Sequence, residues 1–459
     1  MPTTTSPPEG QRASRLLDSA VLAGLVLLVF AIHAASPVTT STDSAWTFHV
    51  AASILREGDV DLDEYRAVMD LDADYRLRRV NGHIYYYYPV ATPLLVTPVV
   101  ALTNAVLPLW RGTDFYSYLA THGPDERTAK LEKLAASTVV ALATAAMYLV
   151  ARRFLVSGKA IAIALIFAFG TSMWSTASRA LWQHGPSVLL LTVTLYLSLV
   201  APRRTWAVFL VGLLLALAYL VRPTNSLSFL FIGLYHLLNN PRRVWAFVLG
   251  GLAIFAPYVL HNWVTYGNVF PPYSYQLFER LGTPAEIGEA AAGTLVSPNR
   301  GLLVFTPVFL FAIAGAYRRV RANGLKTDHL DVFVIAVVVG HWITTSAFED
   351  WGGAWSIGPR YFVDMIPYFA FFLIPVLEDG MVARPVWKTL FALTVGVGVL
   401  VQLHCSVSPY PFMWNGKPQA LVEAPERKWD WADLQFLRGL CGDDPLEGRA
   451  PACWMESVD

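Results

Sequence analysis

A rhythm of apolar runs limits what this chain can fold into more than any other feature. Runs of about 16 to 20 residues, each close to the length that crosses roughly 30 Å of hydrocarbon, recur from Asp18 to His404. They lie at 18–36, 134–151, 159–177, 185–201, 205–221, 224–239, 243–261, 301–317, 329–346, 359–377 and 386–404. Basic residues stand at every second junction: Arg12/Arg15, Arg152/Arg153/Lys159, Arg203/Arg204, Arg242/Arg243, Arg318/Arg319/Arg321/Lys326 and Arg384/Lys388. Short loops rich in Lys and Arg stay cytoplasmic. Placing all of these inside gives eleven spans, a cytoplasmic N-terminal tail (1–17) and an extracytoplasmic C-terminal tail (405–459). The expected class is an all-α polytopic protein of the cell's inner (plasma) membrane. A composition of 55% hydrophobic and 15% charged residues agrees, since a soluble core could not hide that much apolar surface. A formal net charge of zero gives no ground for a nucleic-acid partner. Ala20–Ala35 has the length of a signal-peptide core, but no small-residue cleavage site follows it, so it reads as an uncleaved first span.

The run from Pro89 to Leu109 breaks the parity, because a full crossing there would turn every later basic loop outward. Pro89, Pro93, Pro98 and Pro108 weaken a straight helix. The run is therefore expected to be a re-entrant or half-inserted helix within the first outer loop, 37–133, with a twelfth span as the competing reading. A second larger outer loop covers 262–300. Outside the cytoplasm, Cys441 and Cys453 of the tail could pair as a disulfide or remain free thiols.

The candidate chemistry collects on the outer face. Asp43 follows the first span directly, and a carboxylate there is costly to desolvate. It can act as a general base, or simply cap the helix that the apolar spacing of Ala45, Trp46, Phe48, Val50, Ala51, Ile54 and Leu55 predicts. That spacing suits a helix lying flat on a membrane surface. Four arginines at outer positions run against the positive-inside trend: Arg179, Arg222, Arg300 and Arg360. Each suits an anionic lipid phosphate, since a guanidinium makes paired hydrogen bonds to phosphate oxygens. The bland alternative is an internal acidic partner such as Glu349, Asp350 or Asp364, or a lipid headgroup. His184 shares the outer face, with no His/Cys cluster near it in sequence to suggest a metal. The Tyr85–Tyr88 run, which includes Tyr87 and Tyr88, can anchor at the interface or form a wall for a sugar or isoprenoid. Glu349, Asp350 and Trp351, just before Arg360, can line an acceptor site or pair with that arginine. Asp59, Asp61, Asp63 and Glu64 lack the Gly and distal Glu of a calcium loop and read as a solvated turn. Asn81-Gly82 predicts a tight hairpin turn.

This arrangement resembles the GT-C glycosyltransferases that use polyprenyl-phosphate sugars, particularly bacterial relatives of the protein O-mannosyltransferases. The resemblance rests on the outer acid and surface helix after one span, and on Tyr88-Pro89-Val90-Ala91-Thr92-Pro93. Trp182-Gln183-His184-Gly185-Pro186, Arg222-Pro223-Thr224-Asn225, Asn299-Arg300-Gly301 and Gly358-Pro359-Arg360-Tyr361 add to it. It implies a GT-C fold and inverting transfer of a sugar to an acceptor hydroxyl on a glycan, lipid or protein. Asp43 would serve as base, with Arg222 and Arg360 on the departing lipid phosphate. It requires no cofactor and allows a divalent metal. One departure is that Asp43 is followed by Ser44, where many members of the family carry Asp-Glu. The rival classes are a secondary transporter, which usually shows paired halves and broken helices, and a non-catalytic scaffold.

Overall fold

The computed structural model describes residues 9–108, 112–200, 203–274 and 281–440, with side chains from Asp18 onward. Cys441 and Cys453 lie outside the described residues. Apart from one hairpin the regular elements are helical. In chain order they are α1 (Glu9–Ala35), α2 (Thr47–Arg56), β1 (Leu77–Val80), β2 (His83–Tyr86), α3 (Ala91–Val106), α4 (Phe115–Thr121), α5 (Glu126–Arg152), α6 (Ser157–Phe169), α7 (His184–Val200), α8 (Thr205–Val221) and α9 (Ser226–Asn239). Then come α10 (Val244–Tyr266), α11 (Pro284–Val296), α12 (Phe309–Asn323), α13 (Leu330–Ser346), α14 (Ile366–Glu378) and α15 (Pro385–Val407).

Every expected span overlaps a helix. Five helical stretches are long and apolar enough to cross a membrane: Asp18–Ala35, Glu126–Arg152, Pro241–Tyr266, Arg360–Glu378 and Pro385–Val407. Shorter apolar helices such as α7 and α8 lie between them, so the protein is a multi-pass membrane protein. Two boundaries moved. The run expected at 159–177 stops being α-helical at Phe169, where Gly170 opens a wide turn over Met173–Ala177. The run at 301–317 is cut by Pro307 into a single turn, Leu302–Phe305, and α12, because proline removes a donor and clashes with the preceding turn.

Burial sorts these helices. In α14 every residue from Ile366 to Leu377 is buried, which makes it the centre of the bundle. Helices α10 and α15 hold Val264 and Leu400 at 73% and 65% exposure, an apolar face suited to lipid. Where α8 crosses α10, Gly212 and Gly250 let the backbones touch. A Cβ on Gly250 would lie 2.0 Å from the Phe209 carbonyl oxygen, and one on Gly212 would lie 2.1 Å from that of Phe247.

The first outer loop has a core of its own. Trp46, Phe48, Tyr65, Phe115 and Leu119 pack together over Ala135 and Ala136 of α5. Helix α2 forms as the spacing predicted, but Thr47–Ser53 are all buried. The apolar stripe expected to lie on a membrane is covered by protein instead, largely by α3, because a stripe seeks any apolar partner. Helix α3 has 16 residues and is about 24 Å long, short of the hydrocarbon thickness. Strands β1 and β2 pair with Val80 opposite His83, and Asn81 (φ 51°) and Gly82 (φ 88°) make the predicted left-handed turn.

If the α8–α10 contact is as tight as described, Gly250→Ala should destabilise the protein by about 1–3 kcal/mol through overpacking. Thermal melting in detergent would detect this. An unchanged melting temperature would mean that the helices do not approach this closely.

Candidate active site

Asp43 sits in the segment between α1 and α2, whose backbone and flanking serines are held from several sides. Ser41 Oγ and Ser44 Oγ donate to Glu132, a fully buried residue of α5, at 2.9 and 2.6 Å. Arg76 Nη1 donates to the Thr42 carbonyl at 3.0 Å, and the Tyr86 hydroxyl donates to the carbonyl of Asp43. The cap position of α2 is Trp46, whose side chain makes no capping hydrogen bond, so Asp43 is not spent on capping.

That carboxylate meets Arg360, 317 positions along the chain. Arg360 Nη2 donates to Asp43 Oδ2 at 2.7 Å, the guanidinium lies 4.2 Å from the ring centre of Trp182, and its Nε points at His184 Nε2 at 3.3 Å. The same ring nitrogen lies 3.2 Å from Arg222 Nη1. Guanidinium groups only donate, so Nε2 must accept. The ring hydrogen therefore sits on Nδ1, 3.3 Å from Asp364 Oδ2. Asp364 is fully buried and also pairs with Arg222 Nε at 2.8 Å. The local folding explains the convergence. His184 opens α7, Arg222 ends α8 just ahead of Pro223, and Asp364 lies in the tight turn Arg360–Met365 leading into α14.

Burial alone would raise the Asp43 pKa. The charge and hydrogen bond of Arg360, with hydroxyls from Tyr88 and Tyr75, outweigh it and hold the carboxyl below its ordinary value. Burial and the Asp43 charge push the Tyr88 and Tyr75 phenols up, so both stay protonated donors. Tyr75 reaches Asp43 Oδ1 at 3.0 Å.

Beside this cluster opens a cavity of about 640 Å³. Asp43, Arg222 and Arg360 line it, along with Tyr87, Tyr88, Tyr273, Tyr361 and Asp350. His184 faces a smaller recess behind it, shared with Asp43, Arg222 and Trp182. An aromatic groove formed by Tyr85–Tyr88, Tyr258, Tyr266 and Tyr273 runs on from Tyr87 and Tyr88.

Four expected site residues lie elsewhere. Arg179 is fully buried and donates to the carbonyls of His33, Ser36 and Val38, so it caps the end of α1 rather than facing a ligand. Arg300 is 2% exposed and is engaged by amide oxygens of the C-terminal tail. Trp351 is buried beneath Lys428 and beside Trp429. Glu349 is exposed and is not among the cavity residues. Glu132, Arg76 and Tyr75 were missed. An acid at the mouth of a predicted span is a signal that could have found Glu132, whereas Arg76 and Tyr75 look like ordinary loop residues. Asp61, Asp63 and His83 bring ligand atoms within 4.8 Å of one another, a grouping with metal-holding potential that the sequence reading took for a solvated turn. There Asp63 is already engaged by Arg66, His83 and the Ile84 amide.

No family model matches the chain, and no curated protein sequence matches it. Solved structures do. ArnT from Cupriavidus metallidurans bound to undecaprenyl phosphate aligns at TM-score 0.50 and 14% identity, covering 86% of this chain and 72% of that one. The oligosaccharyltransferase of Archaeoglobus fulgidus, tethered with an acceptor peptide, aligns at TM-score 0.50 and 12% identity, covering 89% of this chain. This chain spans 58% of the archaeal enzyme's length. At such identities the likeness is one of fold: the protein has the GT-C fold of membrane glycosyltransferases.

Proposed function

We propose that the protein is an integral membrane glycosyltransferase. It moves a sugar from a polyprenyl-phosphate donor to an acceptor hydroxyl on the extracytoplasmic face, by single displacement with inversion. The observation that carries this reading is the meeting of Asp43, Arg222 and Arg360 on the wall of one cavity. The fold likeness to a protein bound to undecaprenyl phosphate supports it. The outer face is read from the basic connectors, which favour a cytoplasmic N-terminus and an outer C-terminus, and the membrane in this reading is the inner (plasma) membrane.

In the proposed step the acceptor oxygen attacks the anomeric carbon while Asp43 takes its proton. The bond from that carbon to the phosphate oxygen breaks, and its electron pair leaves with the lipid phosphate. Arg222 and Arg360 neutralise the charge that develops there, in the way fixed cations serve a charge-separating transition state. Arg360 pairs with Asp43. An arriving donor phosphate competes for that guanidinium and frees the carboxylate, so loading the donor switches on the base.

Asp43→Asn should lower transfer about 10²–10⁴-fold, the usual contribution of a general base. The measurement is mass spectrometry of lipid phosphate released from a panel of polyprenyl-phosphate sugars by the purified, lipid-reconstituted protein. Release from no donor, with glycan, lipid and peptide acceptors supplied, would sink the reading.

The pH dependence has a definite sign. Arg360 holds the Asp43 pKa below normal against burial, so the base stays ionised from neutral pH into the acid range. In Arg360→Gln burial acts unopposed and that pKa rises. The acid limb of kcat/KM for the residual activity should therefore move to higher pH. A limb that stays in place would show that Asp43 is not the titrating base.

A further inference from the structure

The sequence motif at Asn299-Arg300 and the tail after α15 have no part in the proposed chemistry, yet they meet in an elaborate polar contact. Gln435 is fully buried and every hydrogen-bonding position of its side chain is filled. Its Oε1 accepts from Arg300 Nη1 at 2.7 Å and from the Gly358 amide at 2.9 Å. Its Nε2 donates to the carbonyls of Ser356 and Pro411 at 2.8 and 2.9 Å. Asn415, also fully buried, accepts from Arg300 Nη2 and donates to the Ser356 carbonyl at 3.0 Å. Arg300 itself reaches the Ala354 carbonyl at 3.3 Å. Asn299 ties the tail down from the other side, its Oδ1 accepting from the Gln435 amide at 2.6 Å.

Four contacts of that set end on the loop 353–358: one at Ala354, one at Gly358 and two at Ser356. This loop carries three left-handed backbone positions, Gly353 (φ 74°), Ala354 (φ 49°) and Gly358 (φ 56°). A non-glycine residue rarely adopts that conformation unless its surroundings enforce it. Pro359 and Arg360 follow immediately, and Gly353, Ala354, Trp355 and Arg360 are themselves cavity wall. On its outer side Trp355 packs against Phe412 of the tail at 5.9 Å.

We infer that Arg300 and Gln435 are positioning residues: through the loop 353–358 the C-terminal tail sets where the Arg360 guanidinium stands relative to Asp43. Arg300 acts here as a buried strut of the site. The acceptors it meets are amide and peptide carbonyls, and its guanidinium lies 5.3 Å from the ring centre of Trp414. The role rests on the proposed glycosyl transfer for its catalytic consequence, though not for its structural one. A misplacement on the ångström scale at a charge-stabilising group costs on the order of 10²-fold in rate.

The test uses the full-length protein in lipid nanodiscs. Gln435→Ala removes the link to Gly358 and Ser356. Arg427→Gln serves as control, because Arg427 pins the tail internally, to Asp433 at 3.0 Å and to carbonyls of Lys417 and Gln419, without touching the loop. Hydrogen–deuterium exchange should quicken at least about tenfold over 353–361 in Gln435→Ala while α14 keeps its protection. It should stay unchanged over that loop in Arg427→Gln. For sugar transfer, kcat should fall on the order of 10²-fold in Gln435→Ala. Equal loop exchange in wild type and Gln435→Ala would overturn the inference, as would faster loop exchange with unaltered kcat. A wild-type protein that transfers no sugar, with loop exchange responding as described, would instead remove the glycosyltransferase reading and leave the strut standing.

Discussion

A charge taken out of water must find its opposite close by, and the site is built around that demand. Asp364 and His184 are fully buried and Arg222 nearly so, deep among apolar helices. Losing one partner of such a pair costs about 3–5 kcal/mol, because the other charge is stranded. The Arg222–Asp364 pair therefore ties the end of α8 to the start of α14, and His184 brings in α7. Arg360 extends the chain of contacts to Asp43 and through it to the first outer loop. The geometry of the candidate site and the packing of four distant segments are one set of interactions.

Much of this was legible in the sequence because membrane insertion leaves a strong imprint. Helix positions follow from apolar length, and each expected span has its helix. Asp43, Arg222, Arg360 and His184 stood out because polar groups at outer span ends run against the trend, and the four do converge. The same argument also picked out Arg179 and Arg300, which the protein uses internally: one caps α1 and the other braces a loop. An arginine satisfied by carbonyl oxygens and one lining a cavity look identical in sequence, since the carbonyls are brought in by the fold.

Other features left no periodic trace. The tail binds through Asn299, Asn415 and Gln435, whose amides carry neither charge nor hydrophobic pattern. The stripe on α2 was readable as amphipathic, but its partner was not, because lipid and protein satisfy an apolar face equally well. Ser44 follows Asp43 where many members of the resembled family carry a glutamate. The buried carboxylate of Glu132 comes from α5 and reaches the segment through Ser41 and Ser44. Only the folded chain puts it there.

Two guanidiniums and two carboxylates around an imidazole that carries no charge give the cluster an electrical sum of zero. Under the proposed chemistry a sugar phosphodiester enters with one negative charge, and the spent carrier it leaves behind bears up to about two near neutral pH. The exhausted carrier would therefore meet the two guanidiniums with more charge than the fresh one, and would be gripped harder. Such a catalyst would be paced by unloading, and an accumulating pool of bare carrier would act as its brake.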